Sequence, residues 1–224
     1  MRIRANGKIN RWTKGGHTAG PLYGYNDLAR LDTMAKKIPK ATKIIVIRHA
    51  EKPAKDGAPY GITERGKRSS ESLEVRGWQR AGALANLFAP TNGRLQNSSL
   101  ETPQYLYASK PLRRKGSRRP METITPLAQK LGTTINTGFA RFECKAMLEN
   151  VMSRKGVAIV CWQREYIPTI AQLILDDKLV PSSIWPEDCF DMIWVFDLDR
   201  KKSRYNFKQV PQRLLTGDRT RPIR

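Results

Sequence analysis

The hydrophobic pattern divides the chain into alternating short apolar runs and longer amphipathic stretches. Lys43-Ile-Ile-Val-Ile47 holds four consecutive β-branched residues, the composition of a strand buried on both faces of a parallel sheet. Trp78, Ala81, Leu84, Ala85 and Phe88 then fall on one helical stripe, and Pro90 ends it. Tyr105–Ala108 reads as a second strand. Met121, Ile124, Leu127, Ala128 and Leu131 mark a second amphipathic helix, with Gly132 placed to close it. A third helix is expected over roughly 143–154, and Val157–Cys161 is another buried strand. Ile167, Ile170, Ala171 and Ile174 form a helix with Pro168 in its first turn. Met192–Leu198 and Tyr205–Val210 predict an antiparallel hairpin. Strands alternating with helices in this way predict a three-layer α/β/α sandwich around a mostly parallel sheet.

Between these elements, residues 53–70 hold two Pro and three Gly and read as a loop. The first 40 residues are rich in Gly, Lys and Arg and read as an irregular arm, with a short helix expected near 27–37. The domain reading is therefore a basic N-terminal arm over 1–42, the α/β domain over 43–212 and a basic C-terminal tail over 213–224.

Composition narrows the functional classes. A chain of 224 residues with 39% hydrophobic and 27% charged residues is long enough to bury a core without disulfides or metal staples. No run approaches 18 apolar residues, so no membrane span is expected. The sequence opens Met-Arg-Ile-Arg without an apolar run of seven, so no secretory signal is expected. Cys144, Cys161 and Cys189 are odd in number and widely spaced, which fits reduced thiols and a cytoplasmic location better than disulfides or zinc. Asn97-Ser-Ser99 matches a glycosylation sequon that carries no meaning without secretion. The net charge of +21 is uneven: residues 1–43 carry +8, residues 199–224 carry +7, and the body between them only +6. A polyanionic partner such as nucleic acid is one reading of those ends. Solubilising tails are the other, and the absence of an aromatic-interleaved basic module favours them.

Chemistry is expected just beyond the carboxyl ends of the parallel strands. Three such ends carry reactive side chains: Arg48-His49-Ala50-Glu51-Lys52, Ser109-Lys110 with Arg118-Arg119 ten residues on, and Trp162-Gln163-Arg164-Glu165. A histidine among arginines from separate strand ends suits phosphoryl transfer through a phosphohistidine. The imidazole attacks phosphorus while guanidinium groups neutralise the oxygens.

These residues resemble a known family. Ile44-Ile-Val-Ile-Arg-His-Ala-Glu51 is similar to the Arg-His-Gly/Ala signature of the histidine phosphatase superfamily, with its phosphoglycerate-mutase-like fold. Leu73–Ala81, Tyr107-Ala-Ser109 with Arg119-Pro-Met-Glu-Thr123, and Val157–Pro168 resemble three further family segments in order, so the resemblance runs from about 43 to 198. It implies that His49 is the nucleophile and that Arg48 and Arg119 bind phosphate. His49 is expected to donate its other ring proton to a backbone carbonyl, which sets the attacking tautomer. The family's second histidine is missing: the register puts Arg164 in its place, where it still binds phosphate but cannot become neutral. The only other histidine is His17, in the basic arm. Glu143 lies where the mutase-like branch carries its acid. Glu165 would suit the acid-phosphatase branch, and Ser109 is a further candidate for a hydrogen bond to phosphate. Glu51 is expected to order the loop.

The resemblance thus implies a phosphomonoester hydrolase needing no metal or organic cofactor, weakened by Arg164, and acting on a small phosphorylated substrate. Mutase activity has no identifiable second phosphate site. The alternatives are a non-catalytic phosphate-binding relative (a pseudophosphatase) and a nucleic-acid-associated protein. Arg113-Arg-Lys115 with Arg118 would sit near the pocket entrance. Oligomeric state stays open.

Overall fold

The computed structural model describes residues 39–112, 116–175 and 184–223, all within one unit. The helix expected near 27–37, His17, nearly all of the basic arm and Arg113-Arg-Lys115 lie outside the described residues.

Six strands form one sheet in the order β3-β2-β4-β1-β5-β6. Strand β1 (Ala41–Arg48) lies between β4 (Gly156–Trp162), parallel to it, and β5 (Met192–Asp199), antiparallel. Strand β2 (Tyr105–Ala108) continues the parallel part and β6 (Arg204–Pro211) closes the other edge as the hairpin partner of β5. A two-residue strand β3 (Ile135–Asn136) was not expected, being too short for any period to show.

Alternation along β1 divides the core. Ile44 and Val46 face one layer, with helices α3 (Cys144–Ser153) and α4 (Ile167–Leu175). Ile45 and Ile47 face the other, with α1 (Val75–Phe88) and α2 (Arg119–Leu131). The result is the expected three-layer sandwich, and because β1 is covered on both faces its uninterrupted apolar run is explained. Gly132 ends α2 in the left-handed conformation at φ 61°, its N–H returning to Gln129 and Ala128 carbonyls. Trp162, Trp185 and Trp194 are all core residues, and the three cysteines are buried and unpaired with one another. No helix among the described residues is long and apolar enough to cross a membrane.

The C-terminal segment differs from a tail. Asp218 and Arg219 tie this segment, 213–223, to the domain by ion pairs, and Ile223 is buried against it. Asp218 receives two hydrogen bonds from buried Arg80, at 2.8 and 3.0 Å, and Arg219 pairs with Asp191 at 3.0 Å. Arg80 also holds Glu51 in a two-pronged contact at 2.7–3.1 Å and donates to Gln212 Oε1 at 2.9 Å. One guanidinium thus joins α1, the loop after β1 and the end of the chain. Removing one partner of a buried ion-pair network leaves unpaired charges and costs ~3–5 kcal/mol. Arg80→Met is expected to lose that much in urea denaturation, and a loss below about 1 kcal/mol would contradict the role given to this network.

Candidate active site

His49, Ser109 and Gln163 are the first residues beyond β1, β2 and β4, so three parallel strands deliver their next side chains to one end of the sheet. His49 continues the ladder for one more bond, its N–H donating to the Trp162 carbonyl at 3.1 Å. In a parallel ladder that bond sets His49 abreast of Gln163. Arg48 pairs in register with Trp162.

The loop after His49 is pinned from several sides. The Ala50 N–H donates to Thr123 Oγ1 at 2.9 Å, and the Thr123 hydroxyl donates to the Arg119 carbonyl at 2.7 Å. The first turn of α2 therefore holds both the histidine loop and the backbone of Arg119. Glu51 is gripped by Arg80, so it orders the loop as expected. Gly77 on α1 lies so close to Glu51 that a Cβ there would stand 2.6 Å from the Glu51 carbonyl oxygen.

The imidazole is 5% exposed, and its Nδ1 lies 2.8 Å from the Ala50 carbonyl oxygen. A carbonyl only accepts, so Nδ1 carries the proton and the lone pair is on Nε2. Burial, with Arg48, Arg119 and Lys52 nearby, pulls the imidazole pKa from 6.5 down to about 3. His49 is therefore neutral at physiological pH.

Arg48 is 1% exposed. Its Nη1 donates to three backbone carbonyls, those of Glu187 at 2.5 Å, Cys189 at 3.1 Å and Pro186 at 3.3 Å, and its guanidinium carbon lies 3.8 Å from the Phe190 ring centre. Among the described residues it has no direct ion pair. Burial and the nearby Arg164 bring its pKa down to about 10, so it remains a cation. Arg119 donates through Nη1 to the Ser70 carbonyl at 2.9 Å, and burial lowers its pKa. The Nε atoms of both arginines are buried without a hydrogen-bond partner among the described residues.

Ser109 is fully buried and bonds the Gln163 amide at 2.8 Å. The other end of that amide is buried and unpartnered. In either orientation of the amide, one end serves Ser109 and the other has no hydrogen-bond partner among the described residues.

The register sets Gln163 abreast of His49, and Arg164, which the sequence reading gave the position of a second histidine, is the next residue. Strand β4 runs one residue beyond Cys161, because Trp162 is buried in the core, and Arg164 starts a 3₁₀ turn. Arg164 is partly exposed, with Nε 3.2 Å from Glu165 Oε1 and Nη2 3.8 Å from Glu187 Oε1. It is still close enough to depress the pKa of Arg48. Glu165 is exposed and near enough to act electrostatically on both Arg48 and Arg119. Glu143 precedes α3, and its carboxylate accepts the Ala140 N–H at 2.7 Å. Among the described residues, no hydrogen bond or ion pair joins it to His49, Arg48 or Arg119.

Sequence reasoning named Gln163 and Lys52 at strand ends without giving them a role, and missed Glu187. Lys52 Nζ bonds Glu187 Oε1 at 3.0 Å. Period-two counting from Val157 through the apolar Trp162 would have pointed to Gln163; no local pattern signals Glu187, since its partners lie 135 and 23 residues away. No group of three or more His, Cys, Asp or Glu side chains among the described residues is placed to hold a metal ion.

No protein-family model matches this sequence, and no curated protein does. Among solved structures, the chain is similar to a protein of Agrobacterium tumefaciens assigned as the phosphohistidine phosphatase SixA. Identity is 18% over 75% of this chain and 97% of that one, with a TM-score of 0.48. It is also similar to a phosphoserine phosphatase of Entamoeba histolytica, whose structure holds phosphoserine, at 13% identity over 77% and 98% of the two chains (TM-score 0.47). A mycobacterial glucosyl-3-phosphoglycerate phosphatase complexed with inorganic phosphate is similar at 9% identity over 75% and 95% (TM-score 0.45).

Gly77 supplies a test of the site's construction. Gly→Ala inside a helix ordinarily stabilises by about 1 kcal/mol. Here the methyl group would push on the Glu51 backbone, so Gly77→Ala is expected to destabilise by ~1–3 kcal/mol. Thermal unfolding of the variant checks this. A stabilised variant would contradict the close packing of α1 on the histidine loop.

Proposed function

We propose that the protein is a phosphomonoester hydrolase of the histidine phosphatase type, acting through a phosphohistidine on His49. The observation that carries this reading is one buried, neutral imidazole with its Nε2 lone pair available, set among guanidinium groups whose Nε–H donors lack partners. An ester phosphate supplies the oxygens those donors require, and a cationic, water-poor setting suits the charge that builds up on them.

In the reaction, Nε2 of His49 forms a bond to phosphorus as the ester P–O bond breaks. The alcohol oxygen leaves with a proton, for which Glu165 is the better-placed donor of the two carboxylates considered, Glu143 being engaged in the turn before α3. The Nδ1–H bond to the Ala50 carbonyl stabilises the cationic ring formed by attack. Water then attacks phosphorus, the N–P bond breaks, and the proton removed from water returns to the carboxylate. Arg48 and Arg119 hold the phosphoryl oxygens throughout, with Arg164 at the rim.

Gln163 limits the rate. An amide can bond a phosphoryl oxygen but offers no titratable proton, and proton transfer by a positioned side chain is worth ~10²–10⁴ in rate. The same substitution motivates a second reading, a phosphate-binding protein without turnover. Hydrolysis of p-nitrophenyl phosphate separates them. The unmodified protein is expected to exceed a His49→Ala blank, and Gln163→His to raise turnover at least ~10-fold, with Arg164→His having the smaller effect. Acid-labile, base-stable phosphate on His49 should appear in stopped reactions. Turnover equal to the blank, together with saturable orthovanadate binding, would establish the second reading.

A further inference from the structure

The loop between α4 and β5 brings an acidic side chain to the rim of the site. The Glu187 backbone is anchored, its carbonyl accepting from Arg48 Nη1 at 2.5 Å. Its side chain is two-thirds exposed, and one carboxylate oxygen, Oε1, contacts two cations: Lys52 Nζ at 3.0 Å and Arg164 Nη2 at 3.8 Å. Both cations belong to segments that also build the phosphate cradle. Lys52 follows His49 by three residues and contributes to lowering its pKa, and Arg164 acts on Arg48. Arg164 has a second acid, Glu165, at 3.2 Å; Glu187 is the acid that touches both cations.

A reaction on a lone phosphomonoester does not require two more cations at the rim. They are costly beside Arg48 and Arg119, because like charges in a partly buried cluster repel. Glu187 offsets that repulsion in the free protein. Its exposed carboxylate is held by partly exposed pairs, each worth only ~0–1 kcal/mol, and its backbone anchor lets the side chain swing away without moving the loop. A ligand group of like charge can therefore take its place at little cost.

We infer, resting on the proposed phosphate site, that the natural ligand carries a second anionic group beside its phosphate, either a carboxylate or another phosphate. Lys52 and Arg164 bind that group after displacing the Glu187 carboxylate. Glu187 then competes with that second group for the two cations, while a ligand with one anionic head leaves the carboxylate where it is.

Three non-hydrolysable probes test this on the full chain: methylphosphonate, with one anionic head; phosphonoacetate, with an added carboxylate; and methylenediphosphonate, with a second phosphonate. Calorimetric titration is expected to show at least one two-headed probe binding more tightly than methylphosphonate, and which one identifies the second group. Glu187→Gln should widen that advantage by about fivefold and Lys52→Met should shrink it by about fivefold, while methylphosphonate changes less than about twofold. Equal changes for all three probes would mean that Lys52 and Glu187 merely adjust the general field, which overturns the inference while the phosphate site stands. Failure of methylphosphonate and both other probes to bind the unmodified protein and Glu187→Gln would overturn the phosphate site and the inference with it.

Discussion

Arg48 is a cation taken out of water with no carboxylate paired directly to it among the described residues; Glu165 and Glu187 act on it only from a distance. Three backbone carbonyls and the face of Phe190 hold it, and partial charges of that kind orient a guanidinium without cancelling its field. The surplus positive charge then governs its neighbours. Together with burial it suppresses protonation of His49, and Arg48 and Arg119 each keep a buried Nε–H donor without a hydrogen-bond partner among the described residues. Burial alone disfavours a charged imidazole, and the uncancelled field of Arg48 adds to it.

Holding such a charge in place requires a rigid frame, and the frame is made of polar contacts on the far side of the loop. Arg80 is as buried as Arg48 but sits between Glu51 and Asp218, so its charge is consumed locally. The contrast between the two arginines separates scaffold from site. Thr123 performs a similar fastening with a single hydroxyl, joining the Ala50 backbone to the first turn of α2. Gly77 allows α1 to approach the Glu51 backbone closely.

Much of this was legible in the sequence. The β-branched run of β1 announced a strand covered on both faces, Pro90 and Gly132 marked where helices stop, and Arg48, His49, Ser109 and Arg119 stood at the ends of readable elements. The register of β4 was harder. Its last residue, Trp162, is apolar and buried, and hydrophobic pattern alone does not say whether a terminal aromatic residue belongs to the strand or to the turn. That single-residue extension sets Gln163 beside His49 and starts the 3₁₀ turn at Arg164. The C-terminal segment was misread for another reason: charge counted along the chain cannot show that Asp218 and Arg219 meet partners on α1 and ahead of β5. Glu187 was invisible because its role arises from contacts made across the fold.

The account rests on a neutral His49 whose proton is on Nδ1, and nitrogen-resolved NMR of the histidine-labelled protein reads that directly. The chain has two histidines, and a His49→Asn spectrum assigns the signals. His49 is expected to show the Nδ1–H tautomer with no change from pH 8 down to about 5, since its pKa lies near 3. An Nε2–H tautomer, or a titration centred near the ordinary value of about 6.5, would contradict the account.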